Sequence, residues 1–471
     1  MMRKSLLALA LTVAFPAAFA QMTTSGIELY GIVDIGAEFI DNGTSTNILG
    51  QKNDITINRI TSGISTGSRW GIRGREDLGG GYAALFTLES RFEADTGQVR
   101  NNGATFTCAT ATVPGVSTPV TNCPGVGLAY PVPSTSAPSV IGGNNLVNAT
   151  MANLVSTVNG VDALFDRQAY VGLITPFGAI IAGRQYTPGY EMFVKYNSFF
   201  DSFAGNPGQI STINLRANNA LQYRAELKGF TLSAMYGFGG AESVAGGRNE
   251  RIPMSNGDDF WGFNLQYATA NFGIAGAYQQ NRTVTFARQT ENQKGLETYN
   301  IGGWVAFGPV KVYGQYLNSQ NDNPVVTPTD IQNLVISTGG NANAITNALL
   351  SQYINSWDVN GLRGVAGPTE LDVYHLGLEW AFNSGRLLFA YNHAEDSSRS
   401  AWATADAKVD SFGLAYYHYL SKRTWLYAAA AYANNKDQSR AALGAACCRG
   451  GWTGNFGEDS QNIQIGMRHM F

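Results

Sequence analysis

Apolar and polar residues alternate with a period of two, in segments of about ten residues, along most of the chain. In the segment 28–40, Leu29 and Phe39 occupy odd positions, whereas Asp34 and Glu38 occupy even positions. Successive side chains of a β-strand point to opposite faces, so each segment would form a strand with one apolar and one polar face. The pattern predicts sixteen strands, at residues 28–40, 68–77, 81–92, 167–174, 177–186, 213–226, 230–238, 260–270, 272–281, 297–307, 309–318, 371–382, 385–394, 408–420, 423–433 and 461–471.

Short turns and long loops alternate between these segments. The short links are Leu78-Gly79-Gly80, Thr175-Pro176, Lys228-Gly229, Gly308-Pro309, Asn383-Ser384 and Ser421-Lys422. The longest links are 93–166, rich in Thr, Pro and Gly, and 319–370, in which part of 331–354 could form a short amphipathic helix. Short periplasmic turns and long external loops are typical of outer-membrane barrels. The expected fold is therefore all-β, a 16-stranded antiparallel transmembrane β-barrel.

A soluble β-sandwich with long insertions is the alternative fold. It would pack alternate strand faces against a second sheet, and its strand ends would not need rings of aromatic residues. Tyr and Phe nevertheless recur near the predicted strand ends, for example Tyr30, Phe92, Tyr267, Phe307 and Tyr432, as membrane-interface girdles require. Hydrophobic residues make up 44% of the chain, yet after residue 20 no segment is as long and apolar as a transmembrane helix. A chain that is apolar at alternate strand positions explains both observations.

The N-terminus has the three parts of a secretory signal peptide. Arg3 and Lys4 precede the apolar run 5–15, and Ala18-Phe19-Ala20 has the small-x-small pattern that signal peptidase cuts. The run is too short for the roughly 20 residues that span a bilayer. Residues 1–20 are therefore expected to be cleaved, leaving residues 21–471 as the barrel.

Charge and cysteine content exclude several other functions. Cleavage would leave 29 of the 31 basic side chains against 34 acidic ones, a net charge of −5 with no basic domain, so nucleic acid is not an expected partner. Cys108 and Cys123 share one Gly/Pro/Thr-rich stretch, and a disulfide between them would close a loop, whereas the pairing of the adjacent Cys447 and Cys448 stays open. The cysteine spacing fits no metal site, and none of the four histidines lies in a catalytic motif. We expect no metal, no cofactor and no enzymatic activity.

Several motifs resemble the trimeric general porins of Gram-negative bacteria, of the β-proteobacterial type. They are Leu29-Tyr30-Gly31-Ile32-Val33-Asp34, Ser68-Arg69-Trp70-Gly71-Ile72-Arg73-Gly74-Arg75-Glu76-Asp77-Leu78-Gly79-Gly80-Gly81, Arg167-Gln168-Ala169-Tyr170-Val171-Gly172-Leu173, Gly183-Arg184-Gln185-Tyr186, Tyr419-Leu420-Ser421-Lys422-Arg423-Thr424 and Gly466-Met467-Arg468-His469-Met470-Phe471. The resemblance implies a multi-pass homotrimer in the outer membrane, in contact with lipid and lipopolysaccharide. It also implies passive transport of ions and small hydrophilic solutes through a water-filled channel. In that family the terminal aromatic residue, here Phe471, is the signal that the outer-membrane assembly machinery reads.

The third long link, 187–212, corresponds by resemblance to the loop that folds inward and narrows the pore. Its Asp201-Ser202-Phe203-Ala204-Gly205-Asn206 is similar to the tip of that loop. The link also carries more aromatic surface than a solvated loop normally exposes. An inward fold is expected; the alternatives are that these aromatic side chains cap the barrel rim or line a subunit contact.

Selectivity in a passive pore depends on its radius and on the charges at its narrowest point. Arg69, Arg73 and Arg75 share one parity, and each would cost about 2–4 kcal/mol if it faced lipid at mid-depth, so they should face the lumen or lie near a strand end. Ion pairs with neighbouring strands are the alternative explanation for these arginines.

By resemblance, Arg69, Arg184 and Arg216 match the basic cluster of the pore constriction, with Arg73 nearby. Glu191 and Asp201 are the candidates for the opposing acidic side. Ile180 and Ala182 share the parity of Arg184, so that assignment rests on the resemblance. The positive local balance predicts a modest preference for anions. A substrate-specific channel, or a barrel whose loops mediate adhesion, is the alternative function.

Overall fold

The computed structural model describes residues 25–46, 52–97, 109–111, 120–122, 132–133, 164–211, 213–238, 259–282, 294–321, 369–397, 406–437, 439–446 and 453–471. The predicted signal peptide, the four cysteines and the segment 331–354 lie outside these ranges. Within them, no helix is long and apolar enough to cross a membrane.

The described residues form a closed antiparallel barrel. Its strands are β1 (Gly26–Thr46), β2 (Lys52–Ser62), β3 (Arg69–Gly79), β4 (Tyr82–Arg91), β8 (Gln168–Thr175), β9 (Gly178–Tyr186), β10 (Arg216–Leu227), β11 (Phe230–Gly237), β12 (Phe260–Ala268), β13 (Phe272–Arg282), β14 (Lys294–Phe307), β15 (Val310–Asn321), β16 (Thr369–Phe382), β17 (Gly385–Asp396), β18 (Ala407–Tyr419), β19 (Thr424–Asp437) and β20 (Ser460–Met470). The insertion 93–166 contributes a separate small sheet of β5 (Ala109–Ala111), β6 (Val120–Asn122) and β7 (Val132–Pro133). Pairing of β1 with β20 closes the barrel.

Seventeen segments fill sixteen strand positions, because β2 and β3 lie end to end along one edge of β1. Residues 26–32 of β1 pair with β3, and residues 35–46 pair with β2. The sixteen-stranded fold is confirmed, but the expectation that residues 41–67 form only a connection is wrong. The pattern missed β2 because its apolar residues change parity between Ile57 and Ile60.

The short links predicted from the sequence are confirmed as tight turns at one end of the barrel. The link between β10 and β11 shows the physical reason. Lys228 and Gly229 have φ angles of 48° and 88°, the two positive values of a type I′ turn, whose twist matches the right-handed twist of paired strands. The strand ends from which the long links depart lie at the opposite, external end.

Alternation of the two faces follows the predicted parity. Leu29 is 62% exposed on the outer face of β1, whereas Asp34 on the inner face is fully buried. Along β12, the outward Leu265 is 51% exposed and the inward Asn264 is fully buried. The apolar side chains of each strand therefore face lipid, and the polar side chains line the interior of the barrel.

Candidate functional site

The loop between β9 and β10, residues 187–215 and hereafter loop 3, enters the barrel through a short helix, α1 (Pro188–Lys195). Proline in the first turn suits a helix start, and the Thr187 side chain accepts a hydrogen bond from the Tyr190 backbone N–H. The helix then rests on the inner wall. The Gly189 N–H donates to Gln279 Oε1 at 3.2 Å, and Asn264 Nδ2 donates to the Pro188 carbonyl at 2.7 Å.

Beyond the helix, loop 3 crosses to the opposite wall. The Ser198 N–H is 3.1 Å from His375 Nε2 on β16, and Asn392 Nδ2 on β17 donates to the Gly205 carbonyl at 3.0 Å. The Ala204 N–H donates to Gln464 Oε1 on β20 at 3.2 Å. A 3₁₀ helix, Pro207–Ile210, begins the return to β10. The inward fold of the third loop is thus confirmed.

The aromatic residues of loop 3 are buried against the wall rather than spread over the rim. Phe199 and Phe203 are fully buried, and the Phe203 ring lies 5.2 Å from Tyr417 and 5.3 Å from Tyr427. These contacts account for the unusual aromatic content of the loop, because burial of each ring against the barrel stabilises the inward position.

Four arginines from neighbouring strands meet on the inner wall and are called the arginine cluster. Arg69 on β3 lies directly opposite Arg91 on β4, Arg167 immediately precedes β8, and Arg216 begins β10. Arg69, Arg91 and Arg167 are only 5%, 7% and 7% exposed. Like charges directly opposite in a sheet destabilise it, so nearby carboxylates must hold the arginine cluster together.

Two carboxylates on the wall supply that counter-charge. Arg167 Nε donates to Glu89 Oε1 at 2.7 Å, and Arg69 Nη1 lies 3.9 Å from the same oxygen. Arg91 Nε lies 3.5 Å from Asp166 Oδ2, and its backbone N–H donates to Asp166 Oδ1 at 2.9 Å.

Asp201 reaches the arginine cluster from loop 3 through two tyrosines. The Tyr190 hydroxyl donates to Asp201 Oδ2, and the Tyr190 ring stacks on Tyr186 with centroids 5.5 Å apart. The Tyr186 hydroxyl in turn accepts from Arg167 Nη2 at 2.5 Å and from Arg216 Nη2 at 3.2 Å. Burial, and then the Asp201 carboxylate, raises the pKa of Tyr190 well above its usual range, so its hydroxyl stays a donor.

These groups surround a cavity of about 70 Å³ between loop 3 and the wall. Its lining includes the whole arginine cluster, Asp201 and the backbone turn at Thr66 and Gly67. Among the described residues that line this cavity, four arginines face one carboxylate, that of Asp201. The balance is positive, and the donors of the guanidinium groups suit carboxylate and phosphate oxygens.

Three sequence candidates lie away from this cavity. Glu191 on α1 is 3.3 Å from Arg224 Nη1 on β10, near the periplasmic end of the wall. Arg73 lies on the inward parity, but four residues or about 13 Å below Arg69 along the strand, where it pairs with Glu28 at 2.7 Å. Arg184 shares the outward parity of Ile180, and its Nε donates to the Asp166 carbonyl at 2.7 Å.

Arg91 and Arg167 were not among the candidates, although the sequence contains signals for both. Arg91 shares the polar parity of Thr87 and Glu89 in β4, and Arg167 opens a motif that carries the family resemblance. The parity of a residue predicts whether its side chain points into the barrel, but not its depth along the barrel axis. Arg73 differs from the arginine cluster in this depth.

A second external link also enters the barrel. Residues 439–446 follow β19, and Leu443 among them is fully buried. The inward Asn462 Nδ2 donates to the Leu443 carbonyl at 2.9 Å, and the Gly444 N–H donates to Gln209 of loop 3 at 3.4 Å. Loop 3 and residues 439–446 therefore contact each other inside the external mouth.

A closed barrel with an apolar exterior, a polar interior and a loop folded into its lumen defines a channel-forming membrane protein. The family model described as Gram-negative porin matches residues 6–438. The chain therefore belongs to the Gram-negative porin family, and it is a porin of the Gram-negative outer membrane.

Two known relatives match nearly the whole chain. Outer membrane porin protein 32 of Delftia acidovorans is 26% identical, with 100% of both chains covered. An outer membrane porin protein of Bordetella pertussis is 25% identical, with 92% of this chain and 95% of the relative covered. Among solved structures, the anion-selective porin from Comamonas acidovorans has the same fold, with a TM-score of 0.56, 19% identity, and coverage of 95% of this chain and 100% of that one.

Proposed function

We propose that this porin is a non-enzymatic general diffusion channel whose constriction lies between the arginine cluster and Asp201 of loop 3. Ions and small hydrophilic solutes would pass through it with a modest preference for anions. The observation that carries the proposal is the convergence of four inward arginines on one cavity that loop 3 closes from the other side. Charge on both sides of a narrow passage produces a transverse field, which orients dipolar solutes and disfavours apolar ones.

The sign of selectivity depends on local rather than total charge. Residues 21–471 carry a net charge of −5, which by itself would favour cations. At physiological salt, however, exposed charges more than roughly 8–10 Å from the ion path are largely screened. The four arginines that line the cavity outnumber its one lining carboxylate, Asp201, and anion preference should weaken as salt rises. The similarity to an anion-selective porin supports the same sign.

Ion selectivity is tested by the zero-current potential across a tenfold KCl gradient in planar bilayers. The wild-type channel should favour chloride, and Arg69→Ser combined with Arg216→Ser should enlarge the unitary current and shift the potential toward potassium. Lys422→Ser combined with Arg423→Ser removes the same two positive charges from an exposed periplasmic turn and is the matched control. A wild-type channel that prefers potassium, or a double variant with an unchanged potential, would contradict the proposal.

The assembly we propose is a homotrimer with one pore per subunit, surrounded by outer-membrane lipid and lipopolysaccharide. Its basis is the family resemblance, together with the apolar outer faces of the early strands, where Ile27 is 75% exposed. The leader 1–20 would be removed during export. In the same recordings, each inserted trimer should close in three equal steps, and full conductance from a purified single subunit would exclude the trimer.

A further inference from the structure

A six-residue turn, 63–68, separates β2 from β3 and projects into the barrel. The turn occupies the place where the second strand would otherwise run straight along β1. Ile64 and Ser65 within it are fully buried. An inward excursion of backbone in a sheet needs its own hydrogen-bond partners, because buried N–H and C=O groups are costly to leave unpaired.

Asp34 of β1 supplies most of those partners. Its Oδ1 accepts from the Ser65 N–H at 3.2 Å, and its carbonyl accepts from the Gly63 N–H at 2.8 Å. Its own N–H donates to Ser68 Oγ at 3.0 Å, so this one residue holds both ends of the turn. The hydroxyl of Tyr427 on β19 donates to the same Oδ1 at 2.8 Å and fixes the carboxylate from the other side.

The turn in turn orients one member of the arginine cluster. Arg69 Nη2 donates to Thr66 Oγ1 at 2.6 Å, and Arg69 Nε donates to the Gly67 carbonyl at 3.2 Å. The contact between Arg69 and Glu89 is longer, at 3.9 Å. The guanidinium of Arg69 is therefore positioned mainly by the turn rather than by an ion pair.

Both inward loops are attached to the same turn. The Ile64 carbonyl accepts from the Phe203 N–H of loop 3 at 3.2 Å and from the Ala446 N–H at 3.2 Å. One carbonyl oxygen has two lone pairs, and here both are used by segments that narrow the external mouth. The turn 63–68 thus connects the arginine cluster, the tip of loop 3 and residues 439–446.

We propose that Asp34 is a positioning residue for ion selectivity, acting through the turn 63–68 on Arg69 and on the tip of loop 3. The inference rests on the proposed function, since it concerns the same constriction. Asp34 acts on the turn through its hydrogen bonds, and its charge also faces the buried guanidinium of Arg468 on β20. Its Oδ1 accepts from both the Ser65 N–H and the Tyr427 hydroxyl, so an amide in place of the carboxylate can keep these two bonds.

Positioning and charge predict opposite results for Asp34→Ala. Loss of a negative charge from the lumen would by itself increase the preference for anions. Loss of the turn's anchor would instead release Arg69 and loop 3, which decreases that preference and adds current fluctuations to the open channel. Asp34→Asn removes the charge but keeps the acceptor for Ser65 and Tyr427, so it separates the two effects.

The experiment compares Asp34→Ala with Asp34→Asn by zero-current potential and open-channel noise in the full-length porin. We expect Asp34→Ala to shift the potential toward potassium with increased noise, and Asp34→Asn to keep or strengthen the chloride preference with quiet openings. Equal shifts toward chloride in both variants, or no shift in either, would overturn the positioning role. The difference between the two variants is informative whichever ion the wild type prefers, so failure of the proposed function would be recognised separately.

A second pair of variants covers the case in which Asp34→Ala does not fold. Thr66→Val removes the acceptor for Arg69 Nη2 at nearly constant volume and constant charge, whereas Thr66→Ser keeps the hydroxyl. Thr66→Val should shift the potential toward potassium, and Thr66→Ser should remain close to the wild type. Indistinguishable potentials for the two Thr66 variants would also overturn the inference.

Discussion

The barrel can be divided into two arcs, the earlier one formed by β1–β4 and β8–β10 and the later one by β11–β20. The two arcs differ in how regularly their strands pair. The later arc, hereafter the regular arc, pairs in register apart from one shift between Gln280 and Arg282. At each of its external hairpins, a tyrosine hydroxyl on the outer face donates to a carboxylate that lies on the partner strand or immediately before it. The five pairs are Tyr236–Asp259 at 3.0 Å, Tyr278–Glu297 at 2.6 Å, Tyr316–Asp372 at 2.6 Å, Tyr391–Asp410 at 2.8 Å and Tyr432–Asp459 at 2.5 Å.

The geometry of these pairs is the same in every case. Tyr316 is in register with Tyr374, and its carboxylate partner, Asp372, lies two residues closer to the external loop. The other four pairs have the same two-residue offset. A side chain at that diagonal position is within reach of a tyrosine on the same face. The repeat places a polar tip above each apolar outer face, as a membrane-water interface requires.

The earlier arc departs from regular pairing where the constriction is built. The turn 63–68 interrupts its second strand position, and β10 changes register between Ala217 and Ala220. It also places Arg69 directly opposite Arg91. Each departure lies beside the arginine cluster. Regular strands are sufficient to present an apolar face to lipid. A selective passage needs charged side chains close together, which regular pairing would not produce. The stability lost at these irregular positions is offset by the rest of the barrel.

The largest expected effect comes from breaking the seam where the two arcs meet. The N–H and carbonyl of Phe471 are each paired with Gly31 of β1, both at 3.1 Å, and by resemblance this aromatic end is read by the assembly machinery. Deletion of Phe471 should sharply reduce folded barrel in the outer membrane, measured as the heat-modifiable species on gels. Phe471→Tyr keeps the ring and is the control. Normal amounts of folded protein after the deletion would contradict this role.

An intermediate effect is expected from separating loop 3 from the regular arc. A Cβ on Gly205 would lie 2.5 Å from the Gly413 Cα of β18, so Gly205→Val should push the loop tip off the wall. Overpacking of this kind costs about 1–3 kcal/mol. Loop 3 is not part of the sheet that closes the barrel, so the barrel should still assemble.

Single-channel current measures this displacement, and we expect a larger unitary current from Gly205→Val. Gly314→Val on β15 is the matched control, because a Cβ there meets nothing within 4 Å. A Gly205→Val channel with the wild-type current would show that the tip does not limit conduction. A Gly314→Val channel with an altered current would show that the substitution acts through the strands instead.

The two arcs also differ in how far the sequence predicts them. The sixteen strand positions and the short turns could be predicted from the period of two, because side chains that face lipid must be apolar. The pattern failed at β2, where Ile57 and Ile60 fall on different parities. The alternation also predicts which charged side chains point inward, and Arg91 has the inward parity. It does not give their depth along the barrel axis, so it could not separate Arg73 from the arginine cluster.

The contacts that hold the constriction together carry even less sequence signal. The Ile64 carbonyl joins two loops through backbone atoms, and any residue has such a carbonyl. Ile180 and Ala182 share the parity of Arg184 and indicate that it lies on the outward parity, whereas the family resemblance implied that Arg184 belongs to the pore constriction. Sequence patterns report what the membrane demands at each position, whereas contacts between distant backbone segments depend on the closed barrel.

The smallest expected effect concerns the regular arc alone. Tyr316→Phe removes one hydroxyl from Asp372, which keeps a hydrogen bond from Asn318 Nδ2 at 2.9 Å. A single hydrogen bond contributes about 0.5–1.5 kcal/mol to stability, and the remaining partner places this loss near the lower end. Tyr374→Phe is the matched control, because its ring lies tilted against Tyr316 with centroids 5.1 Å apart, while its hydroxyl makes no hydrogen bond within the described residues. Urea unfolding of the barrel in lipid vesicles should show a lower unfolding free energy for Tyr316→Phe only, with the zero-current potential of both variants unchanged. A shifted potential in Tyr316→Phe would mean that the outward pairs of the regular arc also influence the constriction, and the division between the two arcs would not hold.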